Sequence, residues 1–212
     1  MRLRKARLGC GLAAVLALCL PAAAAAPDLG PGLHRHVPCG PPAPYTFSAY
    51  VPAAYGRSTA PWPVLFLSDP GGNPPLDAWQ AWADARGVLL VGLDDSHNGL
   101  KQEAVVRLQD AVLATAAQRL RLHAFLRFSA GPSGGAMFSA YLAQRQGDRW
   151  GGVLLLIHGG NGALPAPGIP AAFLVGERDQ VYPFPAVQRD YFAFRQHGNP
   201  VRLESYPSLG HE

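Results

Sequence analysis

The chain has 212 residues, 49% of them hydrophobic and 15% charged, which is typical of a globular protein and excludes the disordered and fibrous classes. Its formal net charge is +4, but four of the 18 basic residues lie within the first seven positions, and no cluster of Lys and Arg follows them. The composition predicts one compact domain. Since nucleic-acid binding needs a basic patch, we expect that this domain binds no nucleic acid.

The first 26 residues have the pattern of a secretory signal peptide. Basic residues up to Arg7 precede an apolar run over 8–20, which is followed by Pro21 and alanines over 22–26. The apolar run is shorter than the roughly 20 residues of a membrane-spanning helix, which disfavours the alternative of a retained anchor. We expect cleavage near 24–26, export to the periplasm or the medium, and no membrane association afterwards.

Cleavage there would leave a mature chain of nearly neutral charge, with 14 basic and 14 acidic residues. Cys10 and Cys19 would leave with the leader, so that Cys39 would have no partner for an intramolecular disulfide.

Residues 27–44 are rich in Pro and Gly and lack periodicity, so we interpret them as an irregular arm before the first strand. The arm contains His34, His36 and Cys39. Closed zinc sites use four ligands at tighter recognised spacings, so we expect no metal site in this arm. The reaction predicted below needs no metal and no organic cofactor.

From position 45 onward, short continuous apolar runs alternate with segments of helical periodicity, and we assign 45–212 to one domain. Continuous apolar runs are expected of strands that are buried on both faces. Strands are predicted over 45–51, 63–67, 88–93, 124–128, 153–157, 171–175 and 201–206. Helices are predicted over 77–86, 101–120, 134–146 and 185–197. This alternation predicts an α/β domain with a mostly parallel sheet and helices on both faces.

A candidate nucleophile lies where a predicted strand meets a predicted helix. The sequence GPSGG places Ser133 between Gly131 and Gly135, which is the pattern Gly-x-Ser-x-Gly. A sharp turn at this point lifts the serine above the sheet, and only glycine lets the backbone crowd around it. Ser129 is a weaker alternative, because Arg127 occupies the position that glycine would take.

Two later strand ends supply the base and the acid that a serine nucleophile needs. The strand predicted over 171–175 opens into a loop with two carboxylates, Glu177 and Asp179, and we take Asp179 as the acid. The strand predicted over 201–206 opens into a loop that delivers His211, which we take as the base. The order serine, acid, histidine is the one that accompanies this serine motif.

An oxyanion hole combines the N–H after the nucleophile with one from the loop after an earlier strand. Gly134 supplies the first donor. The second is expected from the loop 68–73, where Pro70 has no N–H, so that Asp69 or Gly71 is predicted.

Two other polar segments at strand ends are weaker candidates for the site. His158, Gly159 and Gly160 resemble the His-Gly oxyanion motif of many esterases, but they follow the nucleophile, so we interpret them as a strand end and turn. Asp94 and Asp95 also end a strand and are more often a helix cap or a solvated loop than a site.

Three stretches carry a family resemblance: GPSGGAMFSAYLA around Ser133, FLVGERDQVYP around Asp179, and VRLESYPSLGHE around His211. Over 45–211 the chain resembles compact secreted esterases related to polyhydroxybutyrate depolymerases and feruloyl esterases, and more broadly the dienelactone-hydrolase-like members of the α/β-hydrolase superfamily. The resemblance implies the α/β-hydrolase fold and the roles of nucleophile, acid and base for these three residues.

The chain departs from the relatives in two places. The loop after Leu67 reads SDPGG where they usually carry a His-Gly pair. The sequence stops one residue after His211, where they usually continue into a final helix, so we expect the domain to lack that helix.

We expect an exported serine esterase that cleaves carboxylic esters through an acyl-enzyme. Asp179 follows Ser133 by only 46 positions, which leaves no room for a large lid domain and predicts an open cleft. Such a cleft is compatible with a polymeric or aromatic ester as well as with a small one. A serine peptidase or thioesterase with the same triad, and a non-catalytic binding protein on a decayed hydrolase scaffold, are the alternatives.

Overall fold

The computed structural model describes residues 28–212. Its eight strands in that range are β1 (Gly32–Pro38), β2 (Thr46–Val51), β3 (Trp62–Leu67), β4 (Leu89–Leu93), β5 (Leu122–Pro132), β6 (Gly152–Leu156), β7 (Ala171–Gly176) and β8 (Val201–Tyr206). Its four α-helices are α1 (Leu76–Arg86), α2 (Gln102–Arg119), α3 (Gly134–Arg145) and α4 (Phe184–Gln196), and Ala53–Arg57 and Gly147–Arg149 form short 3-10 helices. The predicted signal peptide, residues 1–26, lies outside the described range.

All described strands belong to one sheet with the order β1-β2-β4-β3-β5-β6-β7-β8. The strands β1 and β2 are antiparallel to each other, and β2 is antiparallel to β4, while every later pairing is parallel. The chain runs outward from β3 to β4 and then crosses to β5 on the other side of β3. Ligands of open α/β sheets bind at the carboxyl ends of strands beside such a reversal, so the β3 and β5 ends are the expected place for a site.

The two faces of the sheet are covered unequally. The larger apolar core packs α2, α3 and α4 against one face, and its side chains include Phe66, Val91 and Phe173. On the other face, α1 alone of the described helices packs a smaller cluster that includes Leu65 and Leu90. Alternate residues of β3 thus point to opposite cores, which explains why the central strands read as continuous apolar runs.

The structure corrects the sequence prediction for part of the segment 27–44. It was expected to be irregular, but residues Gly32–Pro38 form β1, which pairs with β2 from Gly32 opposite Val51 to Pro38 opposite Thr46. This edge strand is largely exposed and has a register shift between His34 and Val37, so it lacks the apolar pattern of a buried strand. Its conformation depends on pairing with β2, which a local pattern does not reveal.

The other predicted strands and helices are all present, with ends that mostly differ by one or two residues. The largest difference is at β5, which is Leu122–Pro132 where 124–128 was predicted. The connection between β6 and β7 consists only of the loop 157–170, so no lid domain is inserted there. In the described part of the chain, no helix is both long and apolar enough to cross a membrane.

Candidate active site

Ser133 occupies a strained turn between β5 and α3. Its φ of 50° and ψ of −117° lie in a region that non-glycine residues rarely adopt, and such strain is concentrated at functional sites. Its N–H donates to the carbonyl of Leu156 over 2.9 Å, which ties the turn to β6. A Cβ on Gly131 would lie 2.5 Å from the Ser68 carbonyl oxygen, and one on Gly135 would overlap the same atom. Both glycines of the motif are therefore required by the close approach of the β3 end.

Asp179 lies in the loop after β7 and is 5% exposed. Its Oδ1 accepts hydrogen bonds from the N–H groups of Val181, at 2.8 Å, and Tyr182, at 2.9 Å. The second carboxylate oxygen, Oδ2, lies 2.7 Å from Nδ1 of His211. The loop thus holds one oxygen of the carboxylate and directs the other at the histidine.

His211 joins the other two residues. Its Nε2 lies 3.0 Å from Oγ of Ser133, and its Nδ1 is bonded to Asp179. An ionised carboxylate can only accept, so Nδ1 carries the proton and Nε2 is free to accept from the serine hydroxyl. This is the arrangement that activates a serine.

The loop that carries His211 packs closely over β7. The N–H of Arg178 donates to the carbonyl of Leu209 over 2.9 Å. A Cβ on Gly176 would overlap the carbonyl oxygens of Leu209 and Gly210, so glycine is needed here for the loop to reach the serine. The histidine is 24% exposed at its side chain, which leaves it accessible from the carboxyl edge of the sheet.

The hydrogen bonds to Asp179 decide its charge. Burial by itself would raise the pKa of this carboxyl, but the bonds from His211, Tyr182 and Val181 outweigh burial, and the net pKa is below the usual value. Asp179 is therefore ionised at neutral pH and can stabilise a positive charge on His211.

The predicted oxyanion donors differ in availability. Gly134 is the first residue of α3, so its N–H has no acceptor within the helix and lies at the positive end of the helix dipole. The N–H of Asp69 donates to Oγ of Ser96 over 2.9 Å, and the N–H of Gly71 donates to Oδ1 of Asp69 over 2.7 Å. Neither of the two predicted second donors is thus free in this structure.

The structure places the weaker candidates away from this chemistry. Ser129 is fully buried and donates to Oγ of Ser139. Glu177 accepts a hydrogen bond from Oγ of Ser205. Asp95 accepts from the N–H of Thr46, which ties the start of β2 to the loop after β4.

The three candidate metal ligands in and next to β1 have different surroundings. His34 contacts the carbonyl of Gly30, His36 contacts Asp94, and Cys39 is buried with a free thiol. Among residues 28–212, no three His, Cys, Asp or Glu side chains are grouped so that they could hold a metal ion.

A polar cluster beside Asp179 was not expected from the sequence. The ring of His158, which is buried at the end of β6, stacks on Tyr182 with ring centroids 3.7 Å apart. The Tyr182 hydroxyl donates to Oδ2 of Asp190 on α4 over 2.8 Å, and the same oxygen accepts the N–H of Asn161. Tyr182 therefore links α4 to the loop that holds Asp179, and its position three residues after Asp179 was the only signal in the sequence.

A cavity of about 820 Å³ does not contain these residues. It is lined by the first halves of β6, β7 and β8 together with Trp79 and Trp82 of α1. It therefore lies on the α1 face and away from the carboxyl ends of the strands. The candidates Ser133, Asp179 and His211 instead lie at the carboxyl ends of the strands, beside a smaller cavity of about 270 Å³ that Pro132, Gly176 and Leu209 help to line.

Comparison with known proteins identifies similar structures only. No family model matches the chain, and no curated protein matches its sequence. Thermogutta terrifontis esterase 2 phosphorylated by paraoxon has 14% identity and a TM-score of 0.63, with 85% of this chain and 84% of that chain covered. A cold-adapted esterase from an Arctic intertidal metagenomic library has 16% identity and a TM-score of 0.60, with 79% of each chain covered. Esterase PE8 has 17% identity and a TM-score of 0.61, with 79% of this chain and 91% of that chain covered.

These similarities, together with the strand order, confirm the predicted fold class. The chain has the α/β-hydrolase fold, and Ser133, Asp179 and His211 lie at the carboxyl ends of β5, β7 and β8.

Proposed function

We propose that the protein is a serine hydrolase that cleaves carboxylic esters. The observation that carries this proposal is the continuous chain of contacts from Oγ of Ser133 to Nε2 of His211, at 3.0 Å, and from Nδ1 of His211 to Oδ2 of Asp179, at 2.7 Å. The three side chains come from the loops at the ends of three different strands.

The reaction proceeds by two acyl transfers. Nε2 of His211 takes the hydroxyl proton of Ser133 while Oγ attacks the ester carbonyl, and Gly134 N–H stabilises the resulting oxyanion. The imidazolium gives its proton to the departing alkoxide, which leaves an acyl group on Ser133. A water molecule then attacks this acyl group with His211 as base, and the serine is released with a carboxylic acid. Asp179 remains ionised throughout and holds the imidazole in the required tautomer.

The structural neighbours support this activity, since they are described as esterases. Thermogutta terrifontis esterase 2 has been phosphorylated by paraoxon and phosphonylated by sarin. We expect an organophosphate to modify Ser133 in the present protein in a comparable way.

The sequence resemblance also supports a proposal about the substrate class. We propose that the protein is related to secreted polyhydroxybutyrate depolymerases and feruloyl esterases and that its substrate is a polymeric or aromatic ester. Export depends on residues 1–26 acting as a signal peptide. Amino-terminal sequencing of the protein recovered from the periplasm and the medium checks this, and retention of the full leader in the cytoplasm would refute it.

The deciding experiment compares hydrolysis of p-nitrophenyl butyrate by the wild type, Ser133→Ala and Ser129→Ala. We expect a loss of kcat of about 10⁶-fold for Ser133→Ala, because the nucleophile is removed, and little change for Ser129→Ala. A fluorophosphonate probe should label the wild type and not Ser133→Ala. A folded wild type that neither turns over esters nor reacts with the probe would refute the proposal, and faster cleavage of thioesters or peptides would reassign the substrate class.

A further inference from the structure

The loop between β4 and α2 brings an unassigned side chain to the start of α3. The amide of Asn98 lies so close to Gly134 that a Cβ on that glycine would overlap Oδ1 and come within 3.1 Å of Cγ. Asn98 is 35 positions before Ser133 in the chain, so this proximity arises from the fold.

The backbone of Asn98 is held in place at both of its polar groups. Its N–H donates to the carbonyl of Pro70 over 2.9 Å, and its carbonyl lies 2.8 Å from Nδ1 of His97. A bridge between His97 and Gly71 ties this loop to the loop after β3. The side chain of Asn98 is therefore presented from an anchored backbone.

The side-chain amide itself has no hydrogen-bond partner among residues 28–212, and the residue is exposed. An exposed amide that is anchored beside the residue after the nucleophile is available to a bound substrate. The N–H groups of Asp69 and Gly71, in contrast, already donate to Ser96 and Asp69 side chains.

We propose that the Asn98 side chain supplies the second donor of the oxyanion hole, opposite the N–H of Gly134. This inference rests on the proposed ester hydrolysis and makes Asn98 a catalytic residue, because its amide contacts the reacting carbonyl oxygen.

The terminal amide of Asn98 has to turn to take this role. Oδ1 is the amide atom that lies nearest to Gly134 in the resting site. A half-turn of the terminal amide exchanges Oδ1 for the Nδ2 donors without changing the shape of the side chain. When the carbonyl oxygen of the substrate becomes an oxyanion beside Gly134, Nδ2 replaces Oδ1 at that position and neutralises part of its charge.

The first test measures kcat and KM for p-nitrophenyl butyrate with Asn98→Ala, Asn98→Asp and a control, Gln144→Ala. The control removes an exposed amide at the far end of α3. Loss of one oxyanion donor lowers kcat by about 10² to 10³-fold, so we expect that loss for both Asn98 variants, with KM nearly unchanged and Gln144→Ala at wild-type activity.

Asn98→Asp separates catalysis from a structural role. A carboxylate keeps an acceptor for the start of α3 and favours the helix dipole, so a capping role predicts a loss of stability in Asn98→Ala that Asn98→Asp restores. An oxyanion-binding role predicts wild-type stability of both variants, by urea unfolding, and a large loss of kcat in both. Wild-type kcat in Asn98→Asp, or an increase in KM alone in either variant, would overturn the proposal.

A second variant tests the contact with Gly134. In Gly134→Ala the N–H remains, but the new methyl group displaces the amide of Asn98. We expect the kcat of Gly134→Ala and of the double variant with Asn98→Ala to resemble that of Asn98→Ala alone, because all three lose the same donor. Additive losses would overturn the proposal. A wild type without ester hydrolysis or probe labelling would instead contradict the proposed function itself.

Discussion

The carboxylate of Asp179 is buried, accepts three hydrogen bonds and has a lowered pKa, so its charge is available to His211 at neutral pH. In Asp179→Asn the amide can donate to Nδ1, which favours the wrong tautomer of the imidazole. We expect kcat to fall by about 10⁴-fold while the fold is retained, as measured with p-nitrophenyl butyrate and by circular dichroism. The control is Glu177→Gln in the same loop, and equal losses in both variants would contradict the assignment of the acid.

Gly176 shows how a residue without a side chain positions His211. A Cβ at this position would overlap the carbonyl oxygens of Leu209 and Gly210 and displace the loop that holds His211. Since a misplacement of about 1 Å can cost about 10²-fold in rate, we expect a loss of that order in kcat for Gly176→Ala. Gly40→Ala is the matched control, because an added Cβ there meets nothing within 4 Å. Full activity of Gly176→Ala would show that the loop adapts without moving the histidine.

At the scale of elements, Tyr182 connects α4 to the loop that carries Asp179. Burial, and then the hydrogen bond to Asp190, raise the pKa of Tyr182, so the hydroxyl stays protonated and donates. Removing it in Tyr182→Phe leaves Oδ2 of Asp190 with the N–H of Asn161 as its remaining partner. We expect the free energy of unfolding to fall by about 1 kcal/mol, as measured by urea denaturation.

The exposed Tyr206 provides the comparison for this prediction. Its hydroxyl makes a longer contact, of 3.4 Å, with Glu204 on the same strand. Tyr206→Phe should change the unfolding free energy less than Tyr182→Phe does. A larger loss of unfolding free energy in Tyr206→Phe than in Tyr182→Phe would show that the link between α4 and the loop that carries Asp179 adds nothing to stability.

For the whole molecule, buried His158 and Asp179 set the dependence of stability on pH. Burial is the main cause that lowers the pKa of His158, so the folded protein takes up a proton at this ring less readily than the unfolded chain, which gains one below a pH of about 6.5. Because the unfolded state then binds more protons, stability falls as the pH decreases through this range. The lowered pKa of Asp179 also makes stability fall as the pH decreases, but in a lower pH range. Its contribution to stability is lost as the pH falls below about 4.

The expected result is a decrease in the urea midpoint of the wild type from about pH 8 to about pH 5 that is reduced in His158→Gln. His197→Gln, which changes an exposed histidine at the end of α4, should keep the wild-type slope. Equal slopes in all three proteins would show that His158 is protonated equally in the folded and unfolded states.

Much of the fold was predictable because its signals are local. Continuous apolar runs mark β3 to β7, and the glycines around Ser133 mark the turn that only a small residue permits. Asp179 and His211 were also predictable, since each directly follows a strand-like run and parallel strands bring their carboxyl ends to the same edge. Local pattern therefore determined the order of elements and the three candidates at their ends.

Tertiary structure decided what depends on contacts between distant segments. Residues 32–38 are a strand because β2 pairs with them, and the N–H of Asp69 is engaged because Ser96 approaches from the next loop. Asn98 reaches Gly134 only when the ends of β4 and β5 lie on either side of β3. The sequence by itself determined the elements and the residues at their ends, whereas hydrogen-bond partners were decided by the folded structure, because they depend on distances that periodicity does not encode.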